Sequence, residues 1–133
     1  METRLAVFGG VYSNHLALRE VIVDIARRDV KQAWCLGDLG GFGPNPDVSA
    51  ALLRDSGIPM LRGNYDDAIG HARGDCACGY TDPRDMAFAQ RSFDYTLART
   101  SDSHKDWMRE QPEQQRLNLA GRRILLCHGY RVG

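Results

Sequence analysis

The chain has 133 residues, of which 43% are hydrophobic and 26% are charged, a composition that fits one globular domain with its own core. Seventeen Lys and Arg residues balance seventeen Asp and Glu residues, so nucleic-acid binding by bulk charge is not favoured. No apolar run is long enough to span a bilayer, and the N-terminus lacks a secretory apolar region. We therefore expect a cytoplasmic protein with no membrane partner.

The first 62 residues alternate between strand and helix patterns. Residues 4–9 and 32–37 are short apolar runs ended by glycine, which is typical of buried strands, and residues 58–62 resemble a third strand that begins near Pro59. Apolar residues between the first two runs repeat at helical spacing: Leu18, Val21, Ile22 and Ile25. This order predicts an α/β fold with a parallel or mixed sheet and flanking helices.

A second helix is predicted from Asn45, Pro46 and Asp47, which provide a cap, a first-turn proline and a first-turn acid. Gly57 is well placed to end this helix. The residues expected on its inner face are Val48, Ala51 and Leu52.

The second half of the chain is predicted to hold two helices and a hairpin. Residues 63–81 show little periodicity and indicate a long loop. Asp82 caps a helix whose buried positions are Met86, Ala89, Phe93 and Leu97. A further helix opens at Ser101 or Ser103, and residues 116–120 and 122–127 form a hairpin. His15 and His104 lie in helical segments and are expected to be solvated.

Four cysteines are present, and a disulfide framework is not expected because no export signal is seen. Cys35 and Cys127 lie in apolar runs and are predicted to be reduced core residues. Cys76 and Cys78 lie two residues apart in a Gly- and Asp-rich loop. Two readings of this pair stay open: a soft-metal or redox site, or simple thiols in a loop.

Polar residues follow the predicted strands at the points where the strands end. Asp38 follows the second strand, Asn64, Tyr65 and Asp66 follow the third, and His128 follows the hairpin. Because ligands of α/β sheets bind at the carboxyl ends of the strands, these side chains predict a metal site. The alternative is that Asp38 and Asn64 only accept hydrogen bonds from loop amides.

Four blocks of sequence, taken in order, resemble the calcineurin-like metallophosphoesterase family. The blocks are Val7-Phe8-Gly9-Gly10-Val11-Tyr12-Ser13-Asn14, Cys35-Leu36-Gly37-Asp38, Gly63-Asn64-Tyr65-Asp66 and Cys127-His128-Gly129. The resemblance covers essentially the whole chain, residues 1–133, as a single partial domain. It implies the N-terminal half of an αββα sandwich and hydrolysis of phosphomonoesters or phosphodiesters at a dinuclear metal site.

The chain departs from the family pattern at several positions. The family opens with Asp-x-His, which supplies ligands for the first metal, and here Gly10 and Tyr12 stand at those positions. Glycine has no side chain, and tyrosine needs an unusually low pKa to bind a metal as phenolate. The substrate-contacting histidine of the family is Tyr65 here. A later Gly-His-x-His block of the family does not occur in this sequence.

By the resemblance, Asp38, Asn64 and His128 correspond to ligands of the second metal, so a site for one divalent ion (Mn, Fe, Zn or Mg), or for none, is expected. Tyr65 and Asp66 are the catalytic candidates. Gly10, Tyr12 and Asn14 are expected to line the pocket. Two roles stay open for the tyrosines: donating a proton or hydrogen bond to a phosphoryl oxygen, or filling the vacated metal position with aromatic bulk.

Three functions follow as hypotheses. The first is a family member with a degenerate metal site and weak or no phosphatase activity. The second is an active single-metal phosphoesterase acting on a small phosphoester, with Tyr65 or Tyr12 in the acid role. The third is a non-catalytic interaction module, because a sheet that lacks its packing partner exposes an apolar face and an unpaired edge that a homodimer would cover.

Overall fold

The N-terminal half is built on two parallel strands. In the computed structural model, which describes residues 2–129, strand β1 (Leu5–Phe8) pairs with strand β2 (Gln32–Cys35), with Leu5 opposite Gln32 and Phe8 opposite Cys35. Helix α1 (His15–Arg27) connects them, and its first turn is capped by Asn14, whose side chain accepts a hydrogen bond from the Ala17 N–H. The predicted strand–helix–strand order is confirmed, since parallel strands need such a crossover.

The predicted third strand is reduced to a single bridge. Met60 alone pairs with Cys35, through the Cys35 N–H donating to the Pro59 carbonyl and the Leu61 N–H donating to the Cys35 carbonyl. Pro59 has no N–H to extend the ladder, and the Arg62 N–H turns away to the Pro112 carbonyl at 2.7 Å. The segment therefore leaves β2 after one residue pair.

Helix α2 (Pro46–Ser56) has the predicted ends, with Asn45 before it and Gly57 after it at a φ of 74°. Its buried face is displaced by one position from the prediction. Val48 is 50% exposed, whereas Ser49, Ala50 and Leu53 are buried. Small side chains at Ser49 and Ala50 let α2 lie close to its neighbours, α1 among them.

The predicted loop at residues 63–81 begins with a helix instead. Helix α3 (Asn64–Gly70) starts after Gly63, whose N–H donates to the Asp66 carboxylate at 2.8 Å. Asp66 and Asp67 lie in the first turn, where carboxylates stabilise the positive end of the helix dipole. Two turns are too short for a clear apolar period in sequence, so only residues 71–81 remain irregular, as expected.

The C-terminal half contains helix α4 (Pro83–Arg99), helix α5 (Asp102–Glu110) and an antiparallel hairpin of strands β3 (Gln114–Leu119) and β4 (Arg122–Cys127). Asp82 caps α4 as predicted, accepting from the N–H groups at its start. Met86 was expected in the core and is 52% exposed, because the buried stripe begins only at Ala89 and Phe93. The predicted α/β fold with flanking helices is confirmed.

The core lies between the parallel strands and helices α1 to α5. Its largest fully buried apolar side chains are Tyr65, Phe93, Leu18, Leu39, Leu53, Met60, Leu61, Ile69 and Met108. Tyr65, which follows Gly63 and Asn64, is therefore a core residue of the fold. Among residues 2–129, no helix combines the length and the apolar character needed to cross a membrane.

Candidate metal site

Two glycine-containing turns bring the ends of β1 and β2 together. The backbone pairing of the strands continues into these turns, where Gly10 N–H donates to the Gly37 carbonyl at 3.0 Å and Tyr12 N–H donates to the Asp38 carbonyl at 3.2 Å. Asp38 has a φ of 59°, a left-handed conformation that aspartate tolerates better than most residues. The turn therefore directs the Asp38 side chain inward, where it is only 5% exposed.

One Asp38 oxygen is committed to the backbone of α3 and the other faces a histidine. Oδ1 accepts a hydrogen bond from the Tyr65 N–H at 3.0 Å, and Oδ2 lies 3.4 Å from Nε2 of His128. Burial raises the pKa of the Asp38 carboxyl above its ordinary value, and the Tyr65 N–H, the His128 imidazole and the Tyr12 hydroxyl act against that rise.

His128 follows β4 and is oriented by the main chain. Its Nδ1 lies 2.8 Å from the Leu36 carbonyl, which can only accept, so Nδ1 carries the proton of the neutral ring. The other nitrogen, Nε2, then presents its lone pair. That nitrogen lies 3.1 Å from Oδ1 of Asn64 and 3.4 Å from Oδ2 of Asp38.

The amide of Asn64 is held by the cysteine loop. Its Nδ2 donates to the Cys76 carbonyl at 3.1 Å and lies 3.6 Å from Sγ of Cys78. Reversing the amide would place Oδ1 against the Cys76 carbonyl, two acceptors facing each other. In this orientation, which the hydrogen bond to Cys76 supports, Oδ1 faces His128.

Three acceptor atoms thus converge: Nε2 of His128, Oδ1 of Asn64 and Oδ2 of Asp38. Such a set needs a cation between its members, either a metal ion or a proton shared by His128 and Asp38. No group of three or more His, Cys, Asp or Glu side chains that could hold a metal occurs within residues 2–129. The converging set includes an amide, and its mixture of oxygen and nitrogen donors fits a divalent ion.

Asp66 anchors the two turns that carry the site. It is 1% exposed, and its carboxylate accepts hydrogen bonds from the N–H groups of Asp38 at 2.8 Å, Leu39 at 3.1 Å and Gly63 at 2.8 Å. Burial raises the pKa of Asp66 to about 6, although these N–H donors lower it. The side chain is thus engaged by backbone donors on both sides of the site.

Glycine is required where the backbone of Gly63 approaches the site. A Cβ at Gly63 would overlap Oδ1 of Asp38 and lie 3.0 Å from Cε1 of His128. Across the same contact, a Cβ at Gly37 would lie 2.6 Å from the Gly63 nitrogen. These two glycines let the loop after β2 touch the start of α3 and bring Asp38 within reach of Asn64.

Two cavities lie near the converging residues. Asn64 and His128 line a cavity of about 1070 Å³, together with Arg62, Arg73 and Asp67. Residues predicted to line the pocket surround a second cavity of about 680 Å³: Gly10, Tyr12 and Asn14. Besides burial, which raises the pKa of both groups, Asp38 raises the pKa of the Tyr12 phenol and the Tyr12 hydroxyl lowers the pKa of the Asp38 carboxyl.

The two tyrosines differ sharply in environment. Tyr65 is 1% exposed and packs between Phe42, at a ring-centroid distance of 5.3 Å, and Phe93, at 6.1 Å. Its hydroxyl is buried and makes no well-formed hydrogen bond within the described part of the chain, although Ser92 lies near enough to lower its pKa. Tyr12 is 39% exposed. Burial raises the pKa of both phenols.

The cysteines differ from the prediction. Cys76 and Cys78 form a disulfide, so the reading of the pair as simple thiols is not what the structure shows. Cys35 is a buried free thiol, as predicted, and burial raises its pKa to about 12. Cys127 is free but exposed, because its side chain points to the open face of the hairpin. Only the two-residue spacing in a glycine-flanked loop could have signalled the cross-link.

Sequence reasoning also missed the residues that orient the candidate ligands. The Leu36 carbonyl fixes the His128 ring and the Cys76 carbonyl fixes the Asn64 amide, and both are backbone atoms without a sequence signal. His104 was expected to be solvated, yet its side chain is 13% exposed and its Nδ1 lies 2.6 Å from Oδ1 of Asp47. That pair lies in a different region, between α2 and α5.

Comparison with known proteins shows which family and which fold this chain shares. Residues 4–133 match the family model described as the calcineurin-like phosphoesterase superfamily domain. The uncharacterized protein MJ0912 of Methanocaldococcus jannaschii is 38% identical over 66 residues, which are 50% of this chain and 27% of that protein.

Two solved structures share the fold. A metallophosphoesterase from Sphaerobacter thermophilus is 24% identical with a TM-score of 0.63 over 86% of this chain and 44% of that one. The hypothetical protein PH1004 from Pyrococcus horikoshii OT3 is 17% identical with a TM-score of 0.72 over 93% and 54%. The chain thus spans about half, or less, of the proteins it resembles.

Proposed function

This chain belongs to the calcineurin-like phosphoesterase superfamily, and from that premise we propose that it binds one divalent cation through Asp38, Asn64 and His128. We further propose that two-metal hydrolysis of phosphoesters is weak or absent in it. Residues 1–133 would act as a single domain of this family type, and the proposed location is the cytoplasm.

The convergence of three acceptor atoms carries the proposal. Nε2 of His128 faces Oδ1 of Asn64 at 3.1 Å and Oδ2 of Asp38 at 3.4 Å, and the backbone fixes which atoms of His128 and Asn64 face inward. An imidazole whose remote N–H is bonded to a carbonyl is a common arrangement in metal ligands, because the bond fixes the tautomer. Mn, Fe, Zn and Mg are the candidate ions.

The proposed weakness of the activity rests on Gly10 and Tyr12. Both lie beside the Asp38 turn, Gly10 without a side chain and Tyr12 with a phenol whose pKa is raised by burial. A raised pKa makes a metal-binding phenolate still less accessible near neutral pH. Asp38 is then the one side chain left to serve a first metal position.

A bound divalent ion would supply Lewis-acid polarisation of a phosphoryl oxygen. The residues of the chain supply position: Asn64 and His128 line the 1070 Å³ cavity where a small phosphoester is proposed to bind. Arg62 and Arg73 also line this cavity, and their positive charge is partly balanced by Asp67, which pairs with both and lines the same cavity. For Asp66 we propose a positioning role instead of the catalytic role predicted from sequence, since its carboxylate holds three backbone N–H groups.

Metal titration tests the proposal. We expect Mn²⁺ binding by calorimetry with one ion per chain, and a loss of roughly 10-fold or more in affinity for Asp38→Asn and for His128→Ala. His104→Ala is the matched control, a histidine paired with an aspartate away from the site, and its affinity should equal that of the wild type. Equal affinity of all four proteins would remove the site and leave a proton shared by His128 and Asp38 in its place.

A second candidate function is single-metal phosphoester hydrolysis with a tyrosine acid. Tyr12 is favoured over Tyr65 for that role because Tyr12 is 39% exposed and lies near Asp38, whereas Tyr65 is 1% exposed. Turnover of bis-p-nitrophenyl phosphate with Mn²⁺ that falls at least 10-fold in Tyr12→Phe, and is unchanged in Tyr65→Phe, would establish it. No turnover in the wild type would reject it.

A third candidate is a docking role for strand β1. Within the described residues, β1 has a partner on one side only, and Val7 is 48% exposed beside a cavity of about 560 Å³. An open strand edge with an adjacent apolar groove is suited to pairing with a second copy of the chain. Dimerisation of the chain through β1 is part of this proposal.

A further inference from the structure

We propose that Cys76–Cys78 is a redox-active disulfide, and that its reduction releases the Asn64 amide and weakens cation binding at Asp38 and His128. The inference rests on the proposed metal site and adds its regulation. The observation that carries it is the double contact of the Asn64 amide nitrogen, which bonds the Cys76 carbonyl at 3.1 Å and lies 3.6 Å from Sγ of Cys78.

The disulfide lies at the boundary of the proposed binding cavity. Cys76 and Ala77 line the 1070 Å³ cavity that contains Asn64 and His128. On the other side of the loop, both cysteines line a smaller cavity of about 160 Å³ with Tyr80 and Met86. The cross-link therefore adjoins the site without being part of the converging ligand set.

The two sulfur atoms differ in access. Cys76 is 5% exposed and packs in the hydrophobic core, whereas Cys78 is partly exposed. A thiol reagent will therefore reach Cys78 first and expel Cys76. Because disulfide exchange requires attack by a thiolate on an accessible sulfur, this geometry suits reversible reduction.

The reductant is a dithiol. One of its thiolates attacks Sγ of Cys78, the Cys76–Cys78 bond breaks, and Cys76 leaves as a thiolate that takes up a proton. The second thiol of the reagent then attacks the reagent's other sulfur, which is bonded to Cys78 in the mixed disulfide. Cys78 is released as a thiol. The dithiol loses two electrons and two protons and becomes a disulfide, and the protein gains both.

The loop between Cys76 and Cys78 can rearrange once the disulfide is reduced. Ala77 has a φ of 53°, a left-handed conformation that is unfavourable for a residue with a Cβ. In the oxidised loop the cross-link and one hydrogen bond, from the Ala77 N–H to Asp75, hold it there. After reduction Ala77 can relax, and the Cys76 carbonyl and the Cys78 sulfur move away from Asn64.

Loss of those contacts frees the Asn64 amide to rotate. Oδ1 would then no longer be held toward Nε2 of His128. Residues that orient metal ligands in this way typically change affinity by 10–100-fold when they are lost. We therefore expect the reduced protein to bind Mn²⁺ roughly 10-fold more weakly than the oxidised protein, or weaker still.

The experiment compares the two redox states of the whole chain. Alkylation after unfolding should find two free thiols in the oxidised protein, Cys35 and Cys127, and four after treatment with dithiothreitol. Each form, freed of reagent under nitrogen, is titrated with Mn²⁺, an ion that prefers oxygen and nitrogen ligands to thiolates. Reoxidation should restore the tighter binding.

Variants separate the disulfide from other thiols. The double variant Cys76→Ser, Cys78→Ser should bind Mn²⁺ like the reduced wild type and should not respond to dithiothreitol. Cys127→Ala, which keeps the cross-link and removes the exposed free thiol, should keep the full response. A double variant that still responds to the dithiol would overturn the inference.

The remaining outcomes distinguish this inference from the proposed function. Equal Mn²⁺ affinity of the oxidised and reduced proteins, with four thiols counted after reduction, overturns the redox inference and leaves the metal site intact. Absence of Mn²⁺ binding in both forms overturns the metal site and the redox inference together. Four free thiols in the air-oxidised protein would show that the cross-link does not form, which also overturns the inference.

Discussion

Asp66 shows how one buried side chain can organise the site without touching a ligand. It joins the turn after β2 to the start of α3 through three backbone N–H groups, at Asp38, Leu39 and Gly63. The sequence motif placed Asp66 beside Asn64 but carried no information on whether its carboxylate faces a cavity or the backbone. That choice was made by packing, which leaves Asp66 1% exposed.

Asp66→Ala should lower the free energy of unfolding by about 3 kcal/mol or more. It leaves three buried N–H groups without their acceptor, and each lost bond to a charged group is worth about 1.5–3 kcal/mol. Urea unfolding measures the loss. The control Asp67→Ala removes a neighbouring carboxylate whose side chain is 31% exposed in pairs with Arg62 and Arg73, and should cost about 1 kcal/mol at most. Equal costs would contradict the anchoring role.

Gly63→Ala should weaken Mn²⁺ binding roughly 10-fold or more, because the new Cβ would overlap Oδ1 of Asp38 and push it from His128. Gly74→Ala serves as the control, since a Cβ at Gly74 meets no atom within 4 Å. Calorimetry on both variants gives the comparison. Wild-type affinity in a folded Gly63→Ala protein would argue against the geometry of the site.

At the scale of the elements, polar contacts of Asp47 link helix α2 to helix α5. Asp47, in the first turn of α2, accepts a hydrogen bond from the Ser101 N–H at the start of α5 at 2.8 Å and lies 2.6 Å from Nδ1 of His104. Burial acts to raise the pKa of Asp47, but the Ser101 N–H and His104 outweigh it, so the pKa is lowered. A depressed carboxyl pKa means that the folded state favours the charged form.

This pair predicts an acid-dependent part of the stability. Since the folded pKa of Asp47 lies below its unfolded value, its contribution is present above about pH 4 and is lost as the pH falls through the folded pKa. Asp47→Asn should therefore be less stable than the wild type at pH 6, by no more than about 1 kcal/mol because the side chain is 44% exposed, and the difference should shrink as the pH falls below about 4.

Urea unfolding at several pH values between 3 and 6 makes the comparison. Asp55→Asn, at an exposed position on the same helix, is the control and should show no pH-dependent difference from the wild type. A difference for Asp47→Asn that stays constant down to pH 3 would mean that the charge of Asp47 does not stabilise the link between α2 and α5.

At the scale of the whole molecule, the described residues form a core of their own and leave the outer edge of β1 unpaired. It spans 44% and 54% of the two solved chains that share its fold, and β1 has a neighbour only in β2 within residues 2–129. Val7 is exposed, and the groove beside it is lined mostly by apolar residues, with Glu20, Asp24 and Arg28 among them. A surface of this kind favours association.

Val7→Asp should shift the chain toward the monomer. Light scattering coupled to size exclusion is expected to show a concentration-dependent dimer for the wild type, which a charge at the strand edge would disfavour. Val23→Asp places the same charge on an exposed position of α1 outside the groove and should leave the dimer unchanged. A wild-type chain that stays monomeric at all concentrations would refute association through β1.

Local rules of sequence determined much of this protein. Short apolar runs ended by glycine predicted β1 and β2, capping residues predicted the starts of α2 and α4, and the order of motifs predicted the family. Those features depend on nearest neighbours and on the alternation of strand and helix. The motifs also predicted that Asp38, Asn64 and His128 lie close together, since strand ends meet at one edge of a sheet.

Only the tertiary structure decided the rest, because it depends on contacts between residues far apart in the chain. Pro59 and Arg62 ended the third strand after one bridge, and the rotation of α2 exposed Val48. Tyr65 became core while Tyr12 stayed exposed, a difference invisible in two similar motifs. The atoms that face one another at the site, Nε2, Oδ1 and Oδ2, were selected by the carbonyls of Leu36 and Cys76, and backbone carbonyls have no signature in sequence.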